Sequence, residues 1–406
     1  MRERSSAALL MLRPALVVLL VTADPFLIGL ALPDVMNGLG VRAEQLNRGT
    51  AVLSVYLVGA AVGVWTTGRT RVHLGGWWPA PTLLGFALAS AVAGSVHRLA
   101  PFLVARGLQG LAAGALVPVV WRAVDDARRA LVALAACAVP ALGPLLGIFL
   151  LSAWSWRAVC WAEAILALAL AWRWWHTRGV SEAAGADIGR PNRQVIAAGA
   201  VAGLAATGLA ALVVYVPLFT RTTRDPHSAS EAGAISLRGL LGFAVVAVAV
   251  LMLRPTATRR LIVVGLLLAV GGLCGLSFWN GTTLRGIGCW FELIAVGTGL
   301  GLVCLPLAAW CGGAARAAGA ALLGAGLGLA ALTADGLIVF HDRMRHVLDP
   351  EDLCPTAPAQ CAEYEHAARE AVLDQLRAVF VGAALCVAAA AVIAALLLRA
   401  PRRVPA

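Results

Sequence analysis

The feature that most limits this chain is a repeated crossing length. Twelve apolar runs of about 20 residues, the length that spans the hydrocarbon core of a bilayer, succeed one another through 406 residues. Hydrocarbon offers no water to a backbone amide, so such runs fold as helices that satisfy their own polar groups. Six lie at 14–32, 49–67, 77–96, 101–121, 130–151 and 158–175. Six more lie at 195–219, 232–253, 261–279, 286–310, 317–340 and 378–398. The polar stretch 177–193 separates the two sets. Six runs, a linker and six runs suit a chain built from two repeats. The expected fold is an all-α integral membrane protein of 12 transmembrane helices: residues 1–176 form one six-helix bundle and 194–406 another, with an extracytoplasmic loop at 341–377. The first run is too long for a signal-peptide core and reads as a retained span.

Charge placement sets the expected orientation. The net charge of +11 comes from arginine alone, since the chain has no lysine. That excludes Schiff-base and lysine-nucleophile chemistry. With the N-terminus inside, cytoplasmic segments hold 19 arginines, outer segments 11 and spans two. This is the bias of a multi-pass protein with both termini in the cytoplasm of its cell membrane, and it explains the basic balance without a nucleic acid. Trp77, Trp78, Trp121, Trp154, Trp156, Trp172, Trp174, Trp175, Trp279 and Trp310 fall near the two interfaces as an aromatic belt.

Seven of nine cysteines lie in or at the ends of apolar runs, where they pack as small hydrophobes. Cys354 and Cys361 lie on the outer loop and are a candidate disulfide. No metal-ligand spacing, phosphate loop or nucleophile–base pattern is present, so neither an enzyme nor a bound metal or cofactor is expected. Glu363, His366, Glu370 and Asp374 read as the solvated face of a helix that leads into the last span.

Six ionisable residues stand deep inside spans: Asp24, Arg106, Glu163, Arg238, Glu292 and Asp335; Arg173, at the inner end of the run 158–175, is counted with the cytoplasmic segments. Charges there are costly and normally face a partner or a wet cavity. At about 1.5 Å per residue, Asp24 and Arg106 both sit roughly 10 Å below the outer surface, so they can pair across the first bundle. Arg238 with Asp335 or Glu292 is the expected second pair. Three acids beyond the first pair favour a cationic or amphipathic ligand.

Around Arg106 the sequence continues with Gln109, Gly110 and Gly114. This resembles the fourth-helix motif R-x-x-Q-G-x-x-x-A of the major facilitator superfamily, with Gly114 replacing Ala. Asp24 followed by Ala31-Leu32-Pro33 is similar to D-x-T-x-x-N-x-A-L-P of the drug:proton antiporter branch, with Phe26 and Gly29 in place of Thr and Asn. Tyr56, twelve residues before Gly68, stands as that family's second-helix Tyr does before its loop glycine. Gly143-Pro144 with Gly147 resembles the antiporter motif of the fifth helix, and Ser155-Trp156-Arg157 resembles the start of the sixth. One loop departs from the pattern. Where the family reads G-x-L-A-D-R-x-G-R-R, this chain places Val72 at the aspartate, and the arginines after the second glycine are missing.

The resemblance implies two bundles around a cavity that opens alternately to each side, and export of a lipophilic small molecule in exchange for protons. It implies that Asp24 takes and releases the proton under the control of Arg106. A substrate cavity would draw on Asp24, Tyr56, Arg106, Gln109, Arg238, Glu292 and Asp335. Gly143, Pro144 and Gly147 would form a hinge. The partners are the bilayer, the substrate and protons, and the working unit is a monomer. Proton-coupled uptake, or a scaffold or sensor that does not transport, are the alternatives, the latter because of Val72.

Overall fold

A computed structural model describes residues 2–41, 45–69, 79–122, 126–176, 192–223, 229–253, 258–279, 288–311, 313–345, 347 and 362–398. The loop around Val72, the pair Cys354 and Cys361, and linker residues 177–191 lie outside the described residues. Among the described residues the chain forms twelve helices and no strand. The first six are α1 (Arg2–Gly38), α2 (Leu46–Arg69), α3 (Pro79–Ser95), α4 (Leu99–Arg122), α5 (Asp126–Ala153) and α6 (Trp156–His176). The second six are α7 (Arg193–Thr223), α8 (Ala229–Leu253), α9 (Thr258–Leu276), α10 (Gly288–Trp310), α11 (Ala314–Met344) and α12 (Ala362–Leu397). Eleven are long and apolar enough to cross a membrane, and α3 is a shorter apolar helix.

The helices outrun the apolar runs at several ends. Met344 and Ala362 are the near ends of α11 and α12, so both helices extend into the segment the sequence assigns to the 341–377 loop. Asp374 accounts for part of this. It pairs with Arg377 on its own helix at 3.0 Å and with Arg343 of α11 at 3.4 Å. Helix needs only a satisfied backbone, so it continues past the hydrocarbon while polar side chains find partners.

The two sets of six pack alike. In the first, α1 lies on α5, α2 on α4, α3 on α6 and α3 on α4. In the second, α7 lies on α11, α8 on α10, α9 on α12 and α9 on α10. Small residues make the tightest crossings. A Cβ on Gly110 or Gly114 of α4 would strike the Tyr56 and Ala60 carbonyls of α2. In the second set Gly297 meets Gly239 in the same way. Close backbone approach of this kind is how membrane helices gain packing energy without a hydrophobic drive between them.

Across the halves α1 meets α7, α2 meets α11 and α5 meets α8. Gly29, where the related motif has Asn, lets α1 close on α7. A Cβ there would stand 2.8 Å from a Val213 methyl and 3.1 Å from the Val213 carbonyl. Pro217 is the reason that carbonyl has no helical donor, because a proline cannot donate to the residue four before it. Near the ends of the same two helices Arg221 donates to both oxygens of Asp34 at 2.7 Å. This forked pair clamps the halves at one end of the molecule. Reversing either charge, as Asp34→Arg or Arg221→Asp, should lower the melting temperature of the purified protein, and the exchanged double variant should recover most of the loss.

Candidate functional site

Five helices of the first half bring polar side chains to one buried point. Arg106 of α4 donates to Asp24 of α1 through both terminal nitrogens, at 2.6 and 2.7 Å. The same guanidinium donates to Gln109 Oε1 at 2.6 Å. Arg106 and Gln109 are three residues apart, so they share one face of α4. The Gln109 amide then donates to Ser90 of α3 at 2.8 Å and to Glu163 Oε2 of α6 at 2.9 Å. Asp24, Ser90, Arg106 and Gln109 are 0% exposed and Glu163 is 5% exposed. Two atoms of the cluster, Glu163 Oε1 and Arg106 Nε, have no hydrogen-bond partner.

Tyr56 of α2 is the fifth helix's contribution. Its ring lies beneath the Arg106 guanidinium, 4.5 Å from centroid to carbon. Its hydroxyl donates to the Val21 carbonyl at 2.8 Å. Pro25 explains that bond. A proline at 25 leaves the carbonyl of residue 21 without its helical donor, and the phenol supplies one. Pro25 therefore bends the polar budget of α1 toward α2, one residue after Asp24.

Tyr56 also faces the other way. Between the halves lies a cavity of about 210 Å³ lined by α1, α2, α4, α7 and α11. Phe26, Tyr56, Gly114, Val213 and Leu329 stand in its wall. Of the seven residues assigned to the substrate cavity from sequence, Tyr56 is the one in this wall. Asp24, Arg106 and Gln109 stand behind it, enclosed in the first bundle.

Among the described residues the other three sequence candidates form no second ion pair. Arg238 lies over the Trp290 ring at 3.8 Å, a cation–π contact rather than a pair with Glu292 or Asp335. Glu292 accepts a hydrogen bond from the Trp279 indole, which packs between Phe219 and Phe380. Asp335 is exposed on α11. The separation has a simple origin. Depth along a helix follows from counting residues, but the direction a side chain faces depends on the helix's rotation, which packing decides. The second half holds a neutral contact at its centre instead, Tyr215 against Thr333 at 2.6 Å.

Sequence reasoning placed Glu163 among the charges in spans but left it out of the site, and did not consider Ser90. The available signal was the one acid on the run 158–175, at the level of Arg106. Gly143 and Gly147 of α5 pack against α1: a Cβ on Gly143 would stand 2.6 Å from Phe26 Cβ, and one on Gly147 would stand 2.9 Å from Leu30. These contacts flank the turn of α1 that carries Asp24 and Pro25. The motif glycines thus set the distance between α5 and the charge cluster's main carrier. No group of three metal-ligating side chains occurs among the described residues.

Known proteins share this architecture. The chain superposes on a bacterial homologue of the human lysosomal transporter Spinster, in its inward-facing and occupied conformation, with a TM-score of 0.70, 15% identity and 96% coverage of both chains. It is 30% identical over 176 residues to a triacylglyceride transporter of Mycolicibacterium hassiacum, covering 41% of this chain and 33% of that one. It is 32% identical over 174 residues to the multidrug resistance protein MdtL of Escherichia coli, covering 41% of this chain and 42% of that one. These matches span less than half the length of either relative. The family pattern described as Major Facilitator Superfamily matches residues 15–338, and the chain belongs to that superfamily of multi-pass membrane transporters.

Proposed function

We propose that the protein exports a lipophilic small molecule from the cytoplasm in exchange for protons, with Asp24, Arg106, Gln109 and Glu163 as the proton-binding unit. The observation that carries this is the composition of the buried cluster. It contains one guanidinium and two carboxyls, all enclosed. With both carboxyls ionised the unit is left with one uncompensated negative charge, which burial makes costly. One bound proton removes it. Glu163 Oε1, the carboxyl oxygen without a partner, is the natural seat for that proton.

Coupling needs a path from cavity to cluster, and Tyr56 provides it. Its ring is shared by the cavity wall and the Arg106 face. A ligand that displaces the ring shifts the guanidinium relative to Asp24 and Glu163, and so changes the affinity of the unit for its proton. The end clamped by Asp34 and Arg221 is the outer end on the arginine count, which supports reading this state as closed toward the outside. A proton entering from that side and a substrate leaving to it would compete for the same conformations.

The test is transport in inside-out vesicles with an imposed pH gradient and a panel of lipophilic dyes. Accumulation that follows the gradient supports the reading, and transport indifferent to the gradient would overturn the proton part. Glu163→Gln should keep the Asp24–Arg106 balance while removing the titrating group. Its residual transport should therefore lose whatever dependence on pH the unmodified protein's transport shows.

A further inference from the structure

The charged residues suggested a ligand with positive charge, but the cavity wall points elsewhere. Among the described residues that line it there is no Asp, Glu, Arg or His. Its hydroxyls are Thr22 and Tyr56, and both already donate their protons to α1: Thr22 to the Val18 carbonyl at 2.5 Å, Tyr56 to the Val21 carbonyl at 2.8 Å. The Tyr56 ring, the wall's most cation-attracting surface, already faces the guanidinium of Arg106. The rest is Val, Leu, Ala, Gly, Pro and one Phe. A cation entering this space would lose its water and find no countercharge, and a ligand rich in acceptors would find no free donor.

We infer that the central cavity selects an uncharged, hydrocarbon-rich ligand and excludes permanent cations. The inference rests on reading this cavity as the transport site. At about 210 Å³ the space is smaller than the roughly 300–1,000 Å³ of pockets for drug-sized ligands. A short hydrocarbon segment fits the closed state as it stands, and a bulkier ligand enters as the halves part. Specificity then comes from what the wall refuses, namely charge, while shape is read loosely by aliphatic side chains. Glu292 and Asp335 do not stand in this wall: Glu292 is occupied by Trp279, and Asp335 is an exposed residue of α11.

The experiment uses the full chain in lipid nanodiscs and two photoreactive probes with the same diazirine-bearing alkyl chain. One ends in a hydroxyl and the other in a trimethylammonium group. Labelled residues are located by mass spectrometry. The neutral probe should label wall residues of α1, α7 and α11 at least about tenfold more than the cationic one, as expected if a charge in this wall costs 1.4 kcal/mol or more. Leu209→Asp should reverse the ratio, with Leu209→Asn as the uncharged control. If the acidic variant does not fold, the ratio on the unmodified protein still decides. Equal or preferential labelling by the cation would overturn the inference, as would labelling by either probe that avoids the wall. Adding a neutral diacylglycerol or a neutral drug as competitor separates the two sources of such a ligand. Labelling needs no pH gradient, so it can succeed even where gradient-driven transport fails, and the two readings fall independently.

Discussion

Asp24→Asn abolishes gradient-driven accumulation while leaving a folded protein, and Glu163→Gln is tolerated as well, but the two together are not. The expectation follows from counting charges in one enclosed space. Asparagine at 24 removes one carboxylate and leaves Glu163 to balance Arg106, so no uncompensated charge is buried. Glutamine at 163 leaves the forked Asp24–Arg106 pair. Each single variant therefore keeps a neutral unit and loses the proton. The double variant strands a fully buried guanidinium, and breaking a buried pair in that way costs about 3–5 kcal/mol. Residues that share a partner are not additive, so the loss in the double variant should exceed the sum of the single losses by most of that amount. Thermal unfolding of the four purified proteins in one detergent measures it. Additive losses would show that Glu163 does not balance Arg106. A pH-gradient-driven signal that survives Asp24→Asn would remove Asp24 from the coupling unit.

The second large effect belongs to the α2–α4 crossing. Gly114→Leu should prevent accumulation of the folded protein, because a side chain at 114 meets the Ala60 carbonyl rather than another side chain. Overpacking among side chains costs about 1–3 kcal/mol, since they can rotate away. A backbone carbonyl in a helix cannot move without breaking its own bonds, so the helices must separate. Separation also draws Arg106 and Gln109 away from α1 and takes Tyr56 out from under the guanidinium. Leu108→Ala, at an exposed position on the same helix, is the control and should accumulate normally. Membrane yield and size-exclusion profiles compare the two. A well-behaved Gly114→Leu protein would show that the crossing has slack the structure does not reveal.

The sequence by itself determined the fold class of this protein. Runs of about 20 apolar residues leave no alternative to helices in hydrocarbon, and their six-plus-six grouping is matched by the repeated packing of the two halves. It also put Asp24 and Arg106 at one depth, because rise per residue is constant. Three matters were left to tertiary structure. The rotation of α6 about its axis brings Glu163 into the cluster, while the rotations of α8, α10 and α11 leave Arg238, Glu292 and Asp335 apart from one another and from the cavity. The donor that Pro25 denies the Val21 carbonyl is replaced by a hydroxyl 35 residues along the chain from Val21, a partnership no local pattern records. The wall of the cavity is assembled from five helices of two halves, and its lack of charge follows from the face each presents. Depth is a property of one helix and can be counted; direction is a property of helices packed together, and only their packing sets it.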